Sequence, residues 1–492
     1  MLEHQPDIWD VSIPHSMQPR HTSDYQYSYF ENAGADVSAD TNYRVWSTNQ
    51  NAYYYLPGAA LQVDYKLTQS GGTAVTEAQQ SALSSMGGWG LFEDVKLKFQ
   101  GDVVTHVQKP GKVAFMNSLI EKGKNYIETV GENAHMFIDS VSDNAALVGT
   151  VRLAYTARDL GASTAVGTTP VSMVDKVQQI RTVVGGGCTN SAVTSVKDNP
   201  YYDPAMRRKV DRALAAGTGA QQLFLPLTDV FGIAQLDKVI RGTQIEIELN
   251  RISSTSEALF ALLTDCVLTI TRVRLWIPTL KPSLAAERRI ESQIALNPKV
   301  THTFDNYRFY KLPYNNEQQG EQMYSIMHTQ NRPTKVFVGF QYALRDTSNN
   351  LNPCQFDLLG DAGANNLSKV ELRVNGRSVP NHPYDPRTDQ TRILQDIHRI
   401  GCKEIEDSAC ITKANWLSMF PIFAFDLEAI DNPNSSANAT RSQANLELFW
   451  TTIGNVVNAG LASLTYNVIV VVVSEGSAQF DYTSGITAVR TV

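Results

Sequence analysis

Strict alternation of apolar and polar residues over short segments is the feature that most constrains how this chain folds. The segment TQIEIELNR (243–251) places Ile245, Ile247 and Leu249 on one side and two glutamates on the other. Successive side chains of a β-strand point to opposite faces, so this period of two predicts a strand with one buried face. The same alternation occurs in LQVDYKL (61–67), VKLKF (95–99) and CVLTITRVRLWIP (266–278).

Strand-like segments continue after residue 300. They are FDNYRFYKLPY (304–314), PTKVFVGFQYAL (333–344), KVELRVNGRSV (369–379), FPIFAFDLE (420–428), ANLELFWTT (444–452) and YNVIVVVVSEG (466–476). The last is apolar and mostly β-branched from Val468 to Val473, which predicts a strand buried on both faces. Helical patterns are fewer: PGKVAFMNSLIEKGKNYIETV (110–130), DPAMRRKVDRALAAG (203–217), SSTSEALFALL (253–263), a charged stretch within 283–300, and TRILQDIHRIG (391–401).

The two series of strands predict an all-β chain of two barrels or sandwiches in succession, with short helices in the loops and in the linker. At 492 residues the chain is too long for one small core. The predicted organisation is an N-terminal arm (1–40), a first β-domain (41–282), a linker (283–300) and a second β-domain (301–492). The arm lacks periodicity but contains aromatic residues, which favours docking. Residues 155–220 are predicted to form long loops whose role is open.

Charge and apolar patterning exclude several function classes. The formal net charge of −7 offers no basic footprint for nucleic acid, and the local cluster MRRKVDR (206–212) is predicted to be a solvated helix face. The N-terminal MLEHQPDIWD has neither a basic nor an apolar signal region, so no signal peptide is expected. The run from Val468 to Val473 is far shorter than the roughly 20 residues of a membrane helix.

Cysteines and histidines show no metal-ligand spacing. The five cysteines, Cys188, Cys266, Cys354, Cys402 and Cys410, contain no CxxC pair and are predicted to be buried thiols, with a Cys402–Cys410 disulfide as a minor alternative. The nine histidines include no HxH or HExxH pattern. They are His4, His15, His21, His106, His135, His302, His328, His382 and His398.

No catalytic motif is present either. The glycine cluster VVGGGCTN (183–190) precedes no helix start, so it is predicted to be a turn and not a phosphate cradle. Glu246 and Glu248 share a strand face, but they alternate with core residues and are predicted to be two solvated glutamates. The sequence therefore nominates no catalytic, cofactor-binding or metal-binding residues, and no cofactor.

Several segments, taken in order, resemble the double jelly-roll, hexon-like major capsid proteins of polinton-, adintovirus- and virophage-like double-stranded DNA viruses. They cover most of residues 53–475. They are YYYLPGAALQVDYKL, GGWGLFEDVKLKFQGDVV with KVAFMNSLIEKG, FLPLTDVFGIAQLDKVIRGTQIEIELNR with CVLTITRVRLWIP, RPTKVFVGFQ, LSKVELRVNGRSVPNHPYDP, FPIFAFDLEAI and ANLELFWTT. The segment EAIDNPNSSANATRSQ (428–443) and residues 155–220 depart from the family pattern.

The resemblance implies two consecutive eight-stranded antiparallel jelly rolls and a structural protein without enzymatic activity. It implies a homotrimer that forms a pseudo-hexameric capsomer of an icosahedral shell around a double-stranded DNA genome, assembled inside the host cell and located in the virion. Implied partners are neighbouring capsomers, a single jelly-roll penton protein and minor or cement proteins. Sequence-specific nucleic-acid binding is not implied, and contact with a host receptor or an internal membrane is left open.

Two other classes compete with this interpretation. A two-module β-sandwich that binds carbohydrate or hydrolyses glycosides is the main alternative, because jelly rolls host both activities. A glycosidase requires two carboxylates about 5 to 10 Å apart, and no segment nominates such a pair. A cupin-type metal enzyme is disfavoured by the missing HxH pattern. Oligomeric state discriminates between the classes, because a capsid subunit is expected to be at least trimeric.

Overall fold

The computed structural model describes most of both predicted halves of the chain. The described residues are 22–32, 37–38, 40–48, 52–75, 82–137, 215–217, 219–255, 257–260, 266–315, 320–327, 332–347, 352–359, 366–401, 409–427, 445–453, 465–482 and 488–491. The predictions for Cys188, Cys402, the glycine cluster (183–190) and MRRKVDR (206–212) concern residues outside these ranges, as does the prediction for most of 155–220.

The first half contains twelve described strands and two described α-helices. The strands are β1 (Thr22–Glu31), β2 (Asn42–Trp46), β3 (Tyr53–Tyr55), β4 (Ala60–Gln69), β5 (Ala82–Leu83), β6 (Phe92–Phe99), β7 (Asp102–Gln108), β8 (Gln221–Pro226), β9 (Val239–Arg241), β10 (Ile245–Arg251), β11 (Leu259–Phe260) and β12 (Cys266–Pro282). The helices are α1 (Pro110–Glu121) and α2 (Lys124–Tyr126), and α2 continues into a π-helical turn, Ile127–Gly131. Short 3₁₀ turns are Leu56–Gly58, Gly87–Leu91, Leu227–Asp229 and Gly232–Gln235.

Helix α3 (Leu284–Leu296) connects the halves and begins at Ser283, whose side chain accepts a hydrogen bond from the amide of Ala286. The second half then contains β13 (Lys299–Asn315), β14 (Gly320–Met327), β15 (Pro333–Tyr342), β16 (Leu367–Val374), β17 (Arg377–Tyr384), β18 (Ile422–Asp426), β19 (Asn445–Thr452), β20 (Thr465–Asp481) and β21 (Ala488–Thr491). Its helices are α4 (Gln390–Gly401) and α5 (Lys413–Ser418), and Ala343–Asp346 is a 3₁₀ turn.

Strand order identifies the second half as a jelly roll. One sheet has the order β13-β20-β15-β18, and the other has the order β14-β19-β16-β17. When β13 to β20 are numbered 1 to 8 along the chain, these orders are 1-8-3-6 and 2-7-4-5. All pairings are antiparallel. This interleaving of two Greek keys across two facing sheets is the jelly-roll topology.

The first half has the same topology. Its facing sheets contain the orders β1-β12-β4-β8 and β2-β10-β6-β7. With β1, β2, β4, β6, β7, β8, β10 and β12 taken as strands 1 to 8, the orders are again 1-8-3-6 and 2-7-4-5. The short strands β3 and β9 extend the first sheet beyond the end of β4. The predicted all-β fold of two consecutive eight-stranded jelly rolls is confirmed.

Residues 22–31 fall within the predicted N-terminal arm, yet they form a strand of the first jelly roll. β1 pairs with β12 from Thr22 opposite Pro282 to Glu31 opposite Arg274. The segment is extended and docked, as its aromatic content favoured, but it docks on the chain's own sheet. The domain boundaries as a whole stay a prediction.

Burial follows the predicted alternation. Ile245, Ile247 and Leu249 of β10 have no exposed surface, and Val468–Val473 of β20 are likewise fully buried. β20 lies between β13 and β15 in its sheet, and its side chains from 468 to 473 are buried on both faces of that sheet. The predictions of a half-buried strand at 243–251 and a fully buried strand at 468–473 are confirmed.

Two helix predictions require correction. The segment 253–263 was expected to be helical, but its described part contains β11, which pairs with β5. Cross-strand pairing has overridden the helix preference of Ala and Leu there. Helix α1 forms as predicted, but with buried side chains on every face from Pro110 to Ile120 and not only on one.

Helix α1 is buried on every face because it lies between the two jelly rolls. Gly401, the last residue of α4, faces the carbonyl oxygen of Ile120 in α1 so closely that an added Cβ atom would overlap it. The Phe115 and Phe420 rings also meet edge to face across this boundary, with centroids 5.7 Å apart. Helix α1 of the first half therefore packs on α4 and on the segment before β18 in the second half.

Substitution of Gly401 by alanine tests this close approach. The added methyl group forces α4 away from α1, and overpacking of this kind costs about 1–3 kcal/mol of unfolding free energy. Gly71→Ala is the matched control, because no atom lies within 4 Å of a Cβ built at Gly71. We expect a lower thermal midpoint for Gly401→Ala and almost none of that loss for Gly71→Ala. Equal midpoints would mean that the helices are not in contact at Gly401.

Candidate functional site

The boundary between the jelly rolls contains a buried ion pair. Lys112 of α1 is 4% exposed, and its Nζ lies 2.5 Å from Oδ1 of Asp346 and 2.6 Å from Oε1 of Gln341. Asp346 closes the 3₁₀ turn that follows β15, so the bond joins residues 234 positions apart. A buried charge of this kind is tolerated only when it is paired and hydrogen-bonded.

Asp346 also binds two other strands of the second jelly roll. Its Oδ2 accepts from Lys311 of β13 at 2.6 Å and from the Asn467 amide of β20 at 3.1 Å. Burial acts to raise the pKa of this carboxyl, but attraction and hydrogen bonds from Lys112 and Lys311 outweigh it and lower the pKa. Asp346 therefore stays ionised and links α1 to three segments of the second jelly roll.

Other contacts extend the same boundary. Lys335 of β15 pairs with Glu121 at the end of α1 at 2.6 Å, with side chains only 10% and 16% exposed. The Cys410 thiol donates to the carbonyl oxygen of Lys122 at 3.1 Å. Together with the Lys112–Asp346 pair, these bonds fix α1 at both ends, so the geometry of the boundary is specified along the whole helix.

Replacing Asp346 by asparagine leaves the Lys112 charge buried without a carboxylate. Breaking a buried pair from one side costs about 3–5 kcal/mol. The double variant Lys112→Met with Asp346→Asn removes both charges and should recover part of this loss. We expect the urea midpoint to fall strongly for the single variant and less for the double.

The control for this experiment is Glu128→Gln, which breaks the exposed Lys124–Glu128 pair, both about half exposed. Exposed pairs contribute less than about 1 kcal/mol. A midpoint for Asp346→Asn equal to that of Glu128→Gln would contradict a stabilising role for the buried pair.

A second buried carboxyl group lies beneath the π-helical turn that follows α2. The Tyr126 hydroxyl donates to Oδ1 of Asp229 at 2.5 Å, and Asp229 is 1% exposed. Burial raises the pKa of Asp229 to about 6, although the Tyr126 hydrogen bond and the positive charge of Lys122 act to lower it. Asp229 is therefore ionised at neutral pH at a cost to stability.

The raised pKa predicts the direction of a pH effect on stability. An unfolded aspartate titrates near pH 3.9, so between about pH 4 and 6 the folded state binds the extra proton and stability falls as pH rises. The full shift of two units corresponds to about 3 kcal/mol. Asp229→Asn cannot titrate and still accepts the Tyr126 hydrogen bond. We expect unfolding free energy measured from pH 4 to 7 to decline less for this variant than for wild type.

Asp237→Asn is the matched control, since exposed Asp237 also accepts a tyrosine hydrogen bond, from Tyr55 at 2.8 Å. Its pH profile should follow that of wild type. If Asp229→Asn also follows wild type, Asp229 does not titrate in this range.

A row of exposed aromatic side chains lies on the outer face of the first sheet. Tyr25, Tyr27 and Tyr29 alternate along β1 and are each about half exposed, at 51%, 52% and 51%. We call these three residues and their β12 partners the tyrosine stripe. The partners directly opposite them are Leu280, Pro278 and Trp276. Within its sheet, β1 has a described neighbour on one side only, so the stripe lies at a sheet edge.

The stripe has an arginine at one end. Arg274 forms an ion pair with Glu31, and its guanidinium lies 4.8 Å from the centre of the Tyr29 ring. Burial and a hydrogen bond with Tyr27 that favours the neutral form raise the pKa of Tyr25 to about 12, so its hydroxyl is uncharged at physiological pH. Exposed tyrosines beside the partly buried Trp276 and Arg274 form the composition that dominates protein-interface energetics.

Among the cavities on the described surface, two have informative linings. A groove of about 570 Å³ lies between strands β3 and β9, helix α3 and the ends of β13 and β20. Its lining residues are Tyr53, Lys238, Val239, Arg241, Ile290, Gln293, Ile294, Leu296, Asn297, Val300, His302 and Tyr482. A smaller cavity of about 400 Å³ is lined by Thr303, Phe304, Asp305, Arg332, Thr334 and Glu475. It brings together Asp305 and Glu475, which are opposite one another on β13 and β20.

The residues weighed from sequence are only partly where they were expected. Glu246 and Glu248 share the outer face of β10, but Glu246 is 8% exposed and bonds Arg44, while Glu248 pairs with Lys98. The expectation of two solvated glutamates is therefore wrong for Glu246, whose neighbours cover it. Cys266, Cys354 and Cys410 are buried thiols. Among the described histidines, His106, His302, His382 and His398 lie on separate strands and helices, and His135 is buried after the π-helical turn.

Among the described residues, no group of three or more His, Cys, Asp or Glu side chains is placed to hold a metal ion. None of the described helices combines the length and apolar character needed to cross a membrane. The boundary between the jelly rolls, the tyrosine stripe and the groove at α3 are features of the described structure that sequence reasoning did not nominate. For the stripe a signal existed, because YQYSYF places a tyrosine at every second position.

Comparison with known proteins gives similarity in structure and not in sequence. No family model and no curated protein sequence matches the chain. A chain of the 3.5 Å cryo-EM structure of the Sputnik virophage aligns with a TM-score of 0.57 and 9% identity, over 100% of this chain and 93% of that one. The mavirus major capsid protein aligns with a TM-score of 0.52 and 9% identity, over 100% and 95%.

The Faustovirus major capsid protein also aligns, with a TM-score of 0.50 and 8% identity, over 94% of this chain and 92% of that one. The structural similarity spans nearly the full length of each aligned chain, so it includes both jelly rolls and their connection. The predicted resemblance to capsid proteins of virophage-like viruses is confirmed at the level of fold. The chain therefore shares the fold of these viral proteins, and its own strand order identifies that fold as a double jelly roll.

Proposed function

We propose that this protein is a major capsid protein whose homotrimer forms a pseudo-hexameric capsomer of an icosahedral shell. The observation that carries this proposal is the full-length fold similarity to the mavirus and Faustovirus major capsid proteins. Fold alone does not fix function, so the surfaces of this chain must also suit assembly. Three copies of two jelly rolls give six upright barrels around one axis.

The boundary between the jelly rolls suits such a capsomer because it holds the two jelly rolls at one angle. Helix α1 is buried on all sides, and its Lys112 bonds Asp346 across the boundary. A capsomer with near-sixfold outline requires the angle between the barrels to be the same in every copy. Buried polar contacts with defined geometry favour a single arrangement over alternatives of similar burial.

We assign the tyrosine stripe to contacts between copies of this chain. An edge strand with exposed tyrosines and an arginine-capped end offers both apolar area and hydrogen-bonding hydroxyls. Obligate interfaces are large and apolar, often above about 2,000 Å². The stripe supplies the anchor residues of such an interface, and the surrounding polar side chains form its rim.

The remaining parts of the proposal concern partners and place. The capsomers contact one another, a single jelly-roll penton protein and minor or cement proteins in the virion. The chain acts as a scaffold without catalysis or cofactor, and its net charge of −7 leaves genome condensation to another, basic protein. We place the domain boundaries at Thr22 and Pro282 for the first jelly roll and at Lys299 for the start of the second.

Solution mass and imaging test the assembly role. Light scattering of wild type should give about three times 54.4 kDa, and negative stain should show particles of triangular or hexagonal outline, or closed shells. Replacing Tyr25, Tyr27 and Tyr29 together by serine should release monomers or reduce shell yield, because the exposed anchors of the contact are lost.

The matched control replaces Met323, which is 58% exposed on β14 of the other jelly roll, by serine. It should keep the wild-type mass. Far-ultraviolet circular dichroism shows whether the triple variant stays folded. A folded triple variant with wild-type mass and shell yield would remove the stripe from the interface, and a stable wild-type monomer would contradict the capsid role itself.

Two observations favour a carbohydrate-binding protein or a glycosidase as the second candidate. Exposed aromatic rings can stack on sugars, and Asp305 with Glu475 forms a carboxylate pair in a cavity. However, the Tyr25 and Tyr27 rings are inclined at 79°, so they do not present one flat platform. Glycan binding or hydrolysis that is lost in Glu475→Gln, with wild-type mass unchanged, would favour this candidate.

A further inference from the structure

The 570 Å³ groove at helix α3 has a construction that the assembly role does not require. Its volume lies in the range of small-ligand pockets, about 300–1,000 Å³. Its walls come from both jelly rolls and from the helix between them. No carboxylate is among its lining residues, whereas Lys238 and Arg241 give one wall a positive charge.

Part of the groove lining is apolar and incompletely covered. Ile290, Ile294 and Val300 line it and are each only partly buried. None of the α3 side chains whose burial the structure describes is fully buried, and Leu296 at the helix end is 80% exposed. A 13-residue helix normally buries one apolar face, so this helix covers a space that it does not fill.

The polar wall has groups suited to an anion. The Arg241 guanidinium lies 5.5 Å from the centre of the Tyr53 ring. The Tyr53 hydroxyl is buried and has no hydrogen-bond partner among the described residues. His302 lines the same groove, and burial together with the positive charge of Lys238 lowers its pKa, so it is neutral at pH 7 and can donate one N–H.

Carboxylates do lie near this wall, on the helix. Glu287 and Glu291 of α3 act to raise the pKa of Tyr53, although burial is the larger cause. Neither side chain is among the lining residues. The charge inside the groove is therefore set by Lys238 and Arg241, with the two glutamates outside it.

We propose that this groove binds a small amphipathic carboxylate, with its head group at Lys238 and Arg241 and its unbranched apolar tail along Ile290, Ile294 and Val300. The tail would bury the exposed apolar side of α3, and the head group would pair with the cations of β9 and its neighbouring turn. Because the groove is lined by both jelly rolls, a bound ligand stabilises their connection. The proposal does not depend on the capsid role.

Three probes separate head group from tail in calorimetric titrations of the full-length assembled protein. Dodecanoate, below its micelle concentration, should bind saturably and raise the thermal midpoint, because it binds only the folded state. Dodecyltrimethylammonium has the same tail with a positive head, and butanoate has the same head with a short tail. Both should bind at least about tenfold more weakly. Equal affinity for dodecanoate and the ammonium compound would overturn the proposal.

Variants locate the site. Lys238→Gln with Arg241→Gln should weaken dodecanoate binding about tenfold or more, since two charge-assisted contacts are lost. Gln293→Trp fills the groove from an exposed helix position and should abolish saturable binding. Arg289→Gln is the control on the same helix, because Arg289 is exposed and does not line the groove.

Arg289→Gln should bind like wild type, and each variant must keep the wild-type thermal midpoint without ligand. If the two lining variants, folded by that measure, bind dodecanoate as wild type does, the ligand binds elsewhere and the proposal fails. Loss of binding in Arg289→Gln to the same extent as in the lining variants would equally overturn it.

Discussion

The fold depends on one constraint, namely that a helix from the first jelly roll is buried against the second. Helix α1 contains polar residues yet has no exposed face from Pro110 to Ile120. Its burial there is supported by partners in the other half, because Lys112 bonds Asp346 and the Asn117 amide donates to the Tyr307 hydroxyl. The two jelly rolls are therefore not independently packed domains joined only by a linker. Each jelly roll would lose part of its packing without the other. Helix α3 connects them covalently, but its described side chains are only partly buried or exposed.

The same constraint limits where binding surfaces can lie in the described part of the chain. The inner faces of the sheets pack the core, and the boundary between the jelly rolls is occupied by α1. Among the exposed apolar features of the described residues are the tyrosine stripe at the edge of the first sheet and the incompletely filled groove beneath α3.

Sequence reasoning predicted the strands well because half-buried strands leave a period of two, as Ile245, Ile247 and Leu249 show. It failed where tertiary contacts decide. Residues 259–260 became a strand by pairing with β5 despite helix-forming neighbours. The Lys112–Asp346 bond joins positions 234 apart, and no local pattern marks either residue. β1 was missed for another reason: its tyrosines alternate with the polar residues Asp24, Gln26 and Ser28, so no aliphatic core face marks the strand.

The register of the first sheet joins its two surface features. Tyr25 is opposite Leu280, Leu280 is opposite Tyr53, and Tyr53 is opposite Arg241. Directly opposite residues of antiparallel strands share a face, so the row runs from the tyrosine stripe into the groove. Helix α3 covers only the groove end of this row. Contact between copies at the stripe would involve β1 and β12, and ligand binding beneath α3 would involve β3 and β9. Because β12 pairs with β3, both events would act on one continuous sheet face, and each would restrict the motion of strands next to the other site.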